Sequence, residues 1–178
     1  YLTIFRGCLF IDLTEALTPC DCVRSIGGHA WLSPYFFDMD TSVHFSAQTC
    51  VWPTPDSLFN ALEKEFGFTL DVCCLPENAK CSQFFTPDDD GLLQNWHGVV
   101  WCNPPYGNRI GDWVEKAYRE SHNCVTTVML LPVRTDTRWF HNWVIGKAEI
   151  RFLKGRLKFG DATNSAPFPS MLIVYHRR

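Results

Sequence analysis

The sequence predicts an α/β protein, a three-layer mixed sheet with an antiparallel end, on three observations. Short apolar runs at Phe68 to Cys74, Gly98 to Cys102, Thr126 to Leu131 and Phe168 to Tyr175 have the length and composition of buried strands. Two of them flank a segment with helical apolar spacing, which gives a strand-helix-strand rhythm. Glu149 to Leu153 and Arg156 to Phe159 then alternate across Lys154-Gly155, a turn suited to an antiparallel hairpin near the C-terminus.

Taken in chain order, residues 1–38 hold scattered Cys, Gly and Pro with no persistent period. They are expected to be a poorly ordered or non-native extension, with an internal start at Met39 and a folded domain over 39–178. Thr54 as N-cap and Pro55 at the first helical position open a helix that carries Leu58, Phe59, Leu62 and Phe66 on one face and stops at Gly67. The run from Gly98 ends at Asn103-Pro-Pro, which cannot continue a strand. From Arg109 to His122 the residues Ile110, Trp113, Val114, Ala117 and Tyr118 form a second apolar face. After the next strand, Asp136 suits the cap of a helix bearing Phe140, Trp143 and Val144.

A length of 178 residues fits one domain, and 46% hydrophobic residues with 20% charged and a mean hydropathy of −0.10 exclude a disordered tail. No apolar run approaches the ~20 residues that cross a bilayer, and Tyr1 to Phe10 lacks the small-residue cleavage pattern of a secretory signal. Nine cysteines, an odd number without paired CxxC arms or nearby histidines, read as reduced thiols of a cytoplasmic protein with no metal site. Charge is uneven. Residues 39–133 carry 5 basic and 12 acidic groups, whereas 134–178 carry 9 and 3. A basic C-terminal quarter in a chain of net charge −3 makes a polyanion such as nucleic acid a candidate partner.

The strongest local signal is Asn103-Pro104-Pro105-Tyr106-Gly107, placed directly after a strand and before a helix. In open α/β sheets ligands sit outside the carboxyl ends of strands, where this loop emerges. Two prolines fix the loop, so the Asn103 side chain and the Pro104 carbonyl make a rigid pair of acceptors. Such a pair beside an aromatic ring suits a planar exocyclic amine, whose conjugated lone pair is localised when both N–H groups are accepted. Tyr106 would stack on the base. A base within a duplex must be flipped out to reach such a pocket.

Trp52-Pro-Thr-Pro-Asp-Ser-Leu-Phe, Glu65-Phe-Gly-Phe-Thr-Leu-Asp-Val-Cys, Asn78-Ala-Lys-Cys, Asp90-Gly-Leu, Trp101-Cys-Asn-Pro-Pro-Tyr-Gly, Leu131-Pro-Val-Arg-Thr-Asp-Thr-Arg-Trp-Phe-His and Gly155-Arg-Leu-Lys-Phe occur in that order. Together they resemble the phage-type DNA N-6-adenine methyltransferase family from about Met39 to Tyr175. The resemblance implies a Rossmann-like class I methyltransferase fold, S-adenosylmethionine as methyl donor and double-stranded DNA as partner, in a bacterial host cell or encoded by a prophage. It also implies a catalytic loop of Asn103, Pro104, Pro105 and Tyr106. Cofactor contacts fall on Trp52, Thr54, Pro55, Asp71, Cys73, Asn78 and Asp90, with Asp71 toward the donor's ammonium group and Asp90, or its neighbours Asp88 and Asp89, toward the donor's adenine amine. The glycine-rich donor loop expected of such enzymes is replaced by Cys73-Cys74-Leu75-Pro76-Glu77-Asn78.

Only 31 residues separate Asp71 from Asn103, so no separate recognition domain fits between them. Target recognition is therefore expected from loops and the hairpin. Arg151, Arg156 and Lys158 alternate with Phe152, Leu157 and Phe159, so burying the apolar set presents the cations to phosphates. Arg134 and Arg138 flank the expected cap at the same edge. Related amino-methyltransferases acting on cytosine, RNA guanine or protein glutamine, and a non-catalytic DNA-binding relative, stay open as alternatives.

Overall fold

The computed structural model describes residues 52–160 and 162–178, together with strands β1 (Ile4–Phe5) and β2 (Cys8–Leu9), which pair antiparallel. The chain divides into two compact units, Tyr1–Phe45 and Ser46–Arg178. The boundary expected at Met39 lies outside the described residues, as does the extension expected over 1–38 apart from β1 and β2.

The second unit is an α/β fold around a six-stranded mixed sheet. Helix α1 (Asp56–Phe66) begins at Pro55, whose carbonyl accepts from Leu58 and Phe59, and it buries Phe59 and Leu62. Asp56 in its first turn and Lys64 in its last suit the helix dipole. Gly67 ends the helix at φ 66°, a left-handed conformation that glycine adopts without a Cβ penalty. Thr54 makes no cap. Pro55 holds that position without a side-chain bond, and the Thr54 hydroxyl is used elsewhere.

The apolar run at 68–74 shortens to β3 (Leu70–Asp71), followed by a 3-10 turn at Pro76–Asn78 and by β4 (Gln83–Phe84), a strand the sequence pattern did not reveal. Next come β5 (Val99–Cys102), helix α2 (Ile110–Ser121) and β6 (Thr126–Pro132). They form the expected strand-helix-strand unit, with β5 and β6 parallel. A single turn of π-helix at Phe140–Val144 replaces the helix expected after Asp136. That turn has no side-chain cap, and the Thr137 hydroxyl, rather than Asp136, closes the preceding bend by donating to the Arg134 carbonyl.

The hairpin across Lys154-Gly155 does not form. Strand β7 (Glu149–Phe152) pairs antiparallel with β8 (Ser170–Tyr175), and residues 156–159 form no strand. They fold back instead, with Gly160 N–H donating to the Pro53 carbonyl and Ala166 N–H to that of Leu157. Strand order is β4-β3-β5-β6-β8-β7. The pairs β4-β3, β3-β5 and β5-β6 are parallel, and β8 runs against both β6 and β7. Within this six-stranded sheet, every strand but β8 therefore points its carboxyl end to the same edge.

Side chains alternate between the two faces of a strand, so a strand buried at consecutive positions is covered on both. Residues 127–132 and 170–175 are buried without a break. Phe59 of α1 meets Trp101 edge to face at 5.5 Å, which seats that helix on β5. Burying each Leu, Ile or Val of this core contributes ~1.5–3 kcal/mol.

Candidate active site

The chain passes from β3 to β4 on one side and then returns to place β5 on the other side of β3. The gap beyond the carboxyl ends of β3 and β5 is thus the point where the winding reverses, the usual ligand crevice of such a sheet. A cavity of 390 Å³ opens there. Asp71 to Leu75 line it after β3, Asn103 to Pro105 after β5, and Trp52 to Thr54 ahead of α1.

Asn103 is the centre of this site. Its Nδ2 donates to the Trp52 carbonyl at 2.6 Å and to the Thr54 hydroxyl at 3.0 Å. A carbonyl accepts only, so the amide can be oriented in one way, with nitrogen toward Trp52 and oxygen away. That Oδ1 is buried and has no hydrogen-bond partner. A buried acceptor left without a donor costs ~1–3 kcal/mol, and native structures leave few of them. The Pro104 carbonyl beside it accepts none of the hydrogen bonds of the described residues. Two acceptors without a protein donor therefore belong to residues that line the cavity, held by prolines that fix the backbone and by bonds that fix the Asn103 amide.

Asp71 lies at the end of β3, 2% exposed and on the cavity wall. Its two oxygens accept from the backbone N–H groups of Cys73 and Lys80 at 3.3 and 3.1 Å. Burial raises its pKa above the ordinary carboxylate value, and these N–H bonds oppose the rise. The result is a desolvated carboxylate that gains from a cationic ligand. Asp90 also lines the cavity, at φ 47°, with one oxygen accepting from Leu92 N–H. Asp88 and Asp89 do not line it, and Asp89 is spent on the N–H and hydroxyl of Thr86. Of the three neighbours, the geometry brings only Asp90 to the site.

Trp52, Thr54, Cys73 and Asn78 line the cavity as well, while Pro55 does not. The Asn78 side-chain Oδ1 caps its own turn by accepting from Leu75 N–H at 2.8 Å. The Cys73 thiol lies 3.7 Å from that of Cys102, and burial raises its pKa. Tyr106 sits apart from the cavity lining. Its ring is 8% exposed and edge-on to Phe159 and Phe168, and its hydroxyl donates to the Leu130 carbonyl at 3.1 Å. The ring expected to stack on a base thus braces the loop against β6 in this arrangement.

The basic residues divide. Arg134, Arg138, Arg156 and Lys158 are exposed and make no ion pair among the described residues. Arg151 instead bridges Glu65 and Glu149 and lies over the Phe66 ring, so it serves the packing of α1 against β7. The expected burial of the interleaved apolar residues also fails at one position, because Phe152 is 64% exposed. Sequence reasoning missed Trp101, Trp113, Lys80 and Gly91 on the cavity wall. The need for glycine at position 91 shows only in the fold. A Cβ there would lie 2.1 Å from the Val72 carbonyl oxygen, so the turn after Asp90 approaches β3 as only glycine allows.

Comparison with known proteins identifies the family. A family model described as DNA N-6-adenine-methyltransferase (Dam) matches residues 40–177. The DNA N-6-adenine-methyltransferase of Haemophilus phage HP1 (strain HP1c1) is 35% identical over 136 residues, which covers 70% of this chain and 78% of that protein. That of Escherichia phage T1 is 32% identical over 111 residues, covering 60% of this chain and 46% of its own length. With the family match running from the approach to α1 through the last strand of the sheet, the chain belongs to the DNA N-6-adenine-methyltransferase (Dam) family.

Proposed function

We propose that this protein transfers a methyl group from S-adenosylmethionine to the N6 amine of an adenine flipped out of double-stranded DNA. The observation that carries this reading is the buried, unpartnered Asn103 Oδ1 beside the free Pro104 carbonyl at the switch point of the sheet. Both accept from the amine's N–H groups. Conjugation draws the nitrogen lone pair into the ring, and gripping both hydrogens localises it on the nitrogen, where it attacks a methyl carbon. The new N–C bond forms as the donor's S–C bond breaks, and the methylated amine, now cationic and acidic, releases a proton to water. No titrating base is required of Asn103.

The donor supplies an electron-poor methyl carbon on a sulfonium. The cavity suits it chemically, since Asp71 offers a desolvated carboxylate to its ammonium and Asp90 an acceptor to its adenine amine. Trp52, Thr54, Cys73 and Asn78 line the remainder, and Pro55 supports them by opening α1. Tyr106 holds the catalytic loop against β6. The strand order, with β8 alone reversed, supports a Rossmann-like class I methyltransferase of three layers over 39–178. Arg134, Arg138, Arg156 and Lys158 hold the DNA backbone, and Arg151 fixes β7 behind them.

Incubating the protein with labelled S-adenosylmethionine and unmethylated DNA, then digesting to nucleosides, tests the reading. Label in N6-methyl-2′-deoxyadenosine is the expected result. Label in N4-methyl-2′-deoxycytidine, or none in DNA, rejects it.

A further inference from the structure

Among the described residues, two large apolar side chains stand out in solvent, Leu93 and Phe152. Phe152 closes β7, whose carboxyl end lies on the sheet edge from which Asn103 emerges. Its backbone is held firmly. Met171 pairs with it in the sheet, Leu153 N–H donates to the Ser170 carbonyl, and the preceding Arg151 is clamped by Glu65 and Glu149. The segment that follows exposes Lys154, Arg156 and Lys158, with Leu157 and Phe159 turned inward. An exposed aromatic on a rigid strand end, followed by three outward cations, is the chemistry of a nucleic-acid contact, apolar toward bases and basic toward phosphates.

We propose that Phe152 is a DNA-positioning residue, an apolar wedge that packs on bases flanking the target while the cations after it hold the backbone. This rests on the DNA methyltransferase reading. In the sheet, β7 stands three strands from β5, or roughly 14 Å at the usual strand spacing. At ~3.4 Å of rise per base pair, that separation places the contact about four base pairs from the flipped adenine. Phe152 thus fixes register along the duplex rather than filling the gap the adenine leaves. A second copy of the chain is the poorer occupant, because a two-fold contact at this edge brings the same cations together.

Duplex binding measured over a range of salt for the parent, Phe152→Ala, Phe152→Trp and Arg156→Ala, with donor affinity and size-exclusion mass alongside, tests this. Phe152→Ala should weaken duplex binding roughly tenfold at every salt concentration, because stacking does not release counterions. Phe152→Trp should restore it, and Arg156→Ala should reduce the salt slope instead. Donor affinity and mass should stay at parental values. Phe152→Ala binding DNA like the parent overturns the proposal, as does a loss of affinity that tracks a change in mass. A parent that binds the donor but neither binds nor methylates DNA overturns the functional reading itself, and this proposal with it.

Discussion

Asn103 and Asp71 divide the chemistry of the cavity, one as a neutral acceptor and the other as a charge. Because burial raises the Asp71 pKa, this carboxylate takes up a proton at a higher pH than an exposed aspartate does. Donor affinity should accordingly weaken on acidification with a midpoint above the ordinary aspartate range, and Asp71→Asn should both lower affinity and flatten the profile, as titration calorimetry against pH would show. The same shift bears on folding with the opposite sense. The native state holds this proton more tightly than the unfolded chain, so the group's contribution to stability is full below the ordinary carboxylate pKa and is lost as pH rises through the raised one. Tyr106 offers a contrast. Tyr106→Phe removes one hydrogen bond, worth ~1 kcal/mol, and should keep methylation, whereas Tyr106→Ala opens a cavity among Phe159 and Phe168 at a cost of ~3–5 kcal/mol in thermal or denaturant unfolding. The Asn-Pro-Pro-Tyr loop was legible before any fold was known, because its residue types state their chemistry. The partners of Asn103 were not, since Trp52 and Thr54 are about fifty positions away in sequence.

At the scale of elements, local pattern succeeded where local forces decide. The apolar spacing in α1 and α2 and the glycine stop at Gly67 all appear as the sequence implies. Pattern failed where tertiary contacts decide. Residues 156–159 alternate like a strand, yet Phe159 packs edge-on against Trp52 and the segment is held to Pro53 instead of pairing with β7. Strand β4 is two residues long, too short for any period to show. The approach of the Asp90-Gly91 turn to β3 was equally invisible, and it yields a test. Gly91→Ala drives a methyl group into the Val72 carbonyl, so it should destabilise the fold by ~1–3 kcal/mol and displace Asp90, lowering donor affinity in the same variant. A parental melting temperature with parental donor affinity would show that the turn has room to move.

Across the second unit, one sheet edge gathers the cavity, the Asn103 loop and the exposed cations. The charge asymmetry of the sequence foretold the last of these, though not that Arg151 would be spent on Glu65 and Glu149. Charge reversal at Arg156 and Lys158 together should weaken duplex binding at low salt, lose its effect as salt rises, and leave donor binding intact. A chain beginning at Met39 should retain methylation and unfold cooperatively, since the family match starts at residue 40. A collapse in its melting temperature would place part of the preceding segment in the folded core. In the proposed reaction a neutral acceptor, fixed by Trp52 and Thr54 at the switch point of the sheet, activates the adenine amine. Single-turnover methylation by Asn103→Ala at saturating donor tests this most directly. Removing one preorganised polar group of this kind costs ~10² to 10³ in rate, so a fall of that size with donor affinity and folding preserved is the result expected, and methylation of adenine at the parental rate would contradict it.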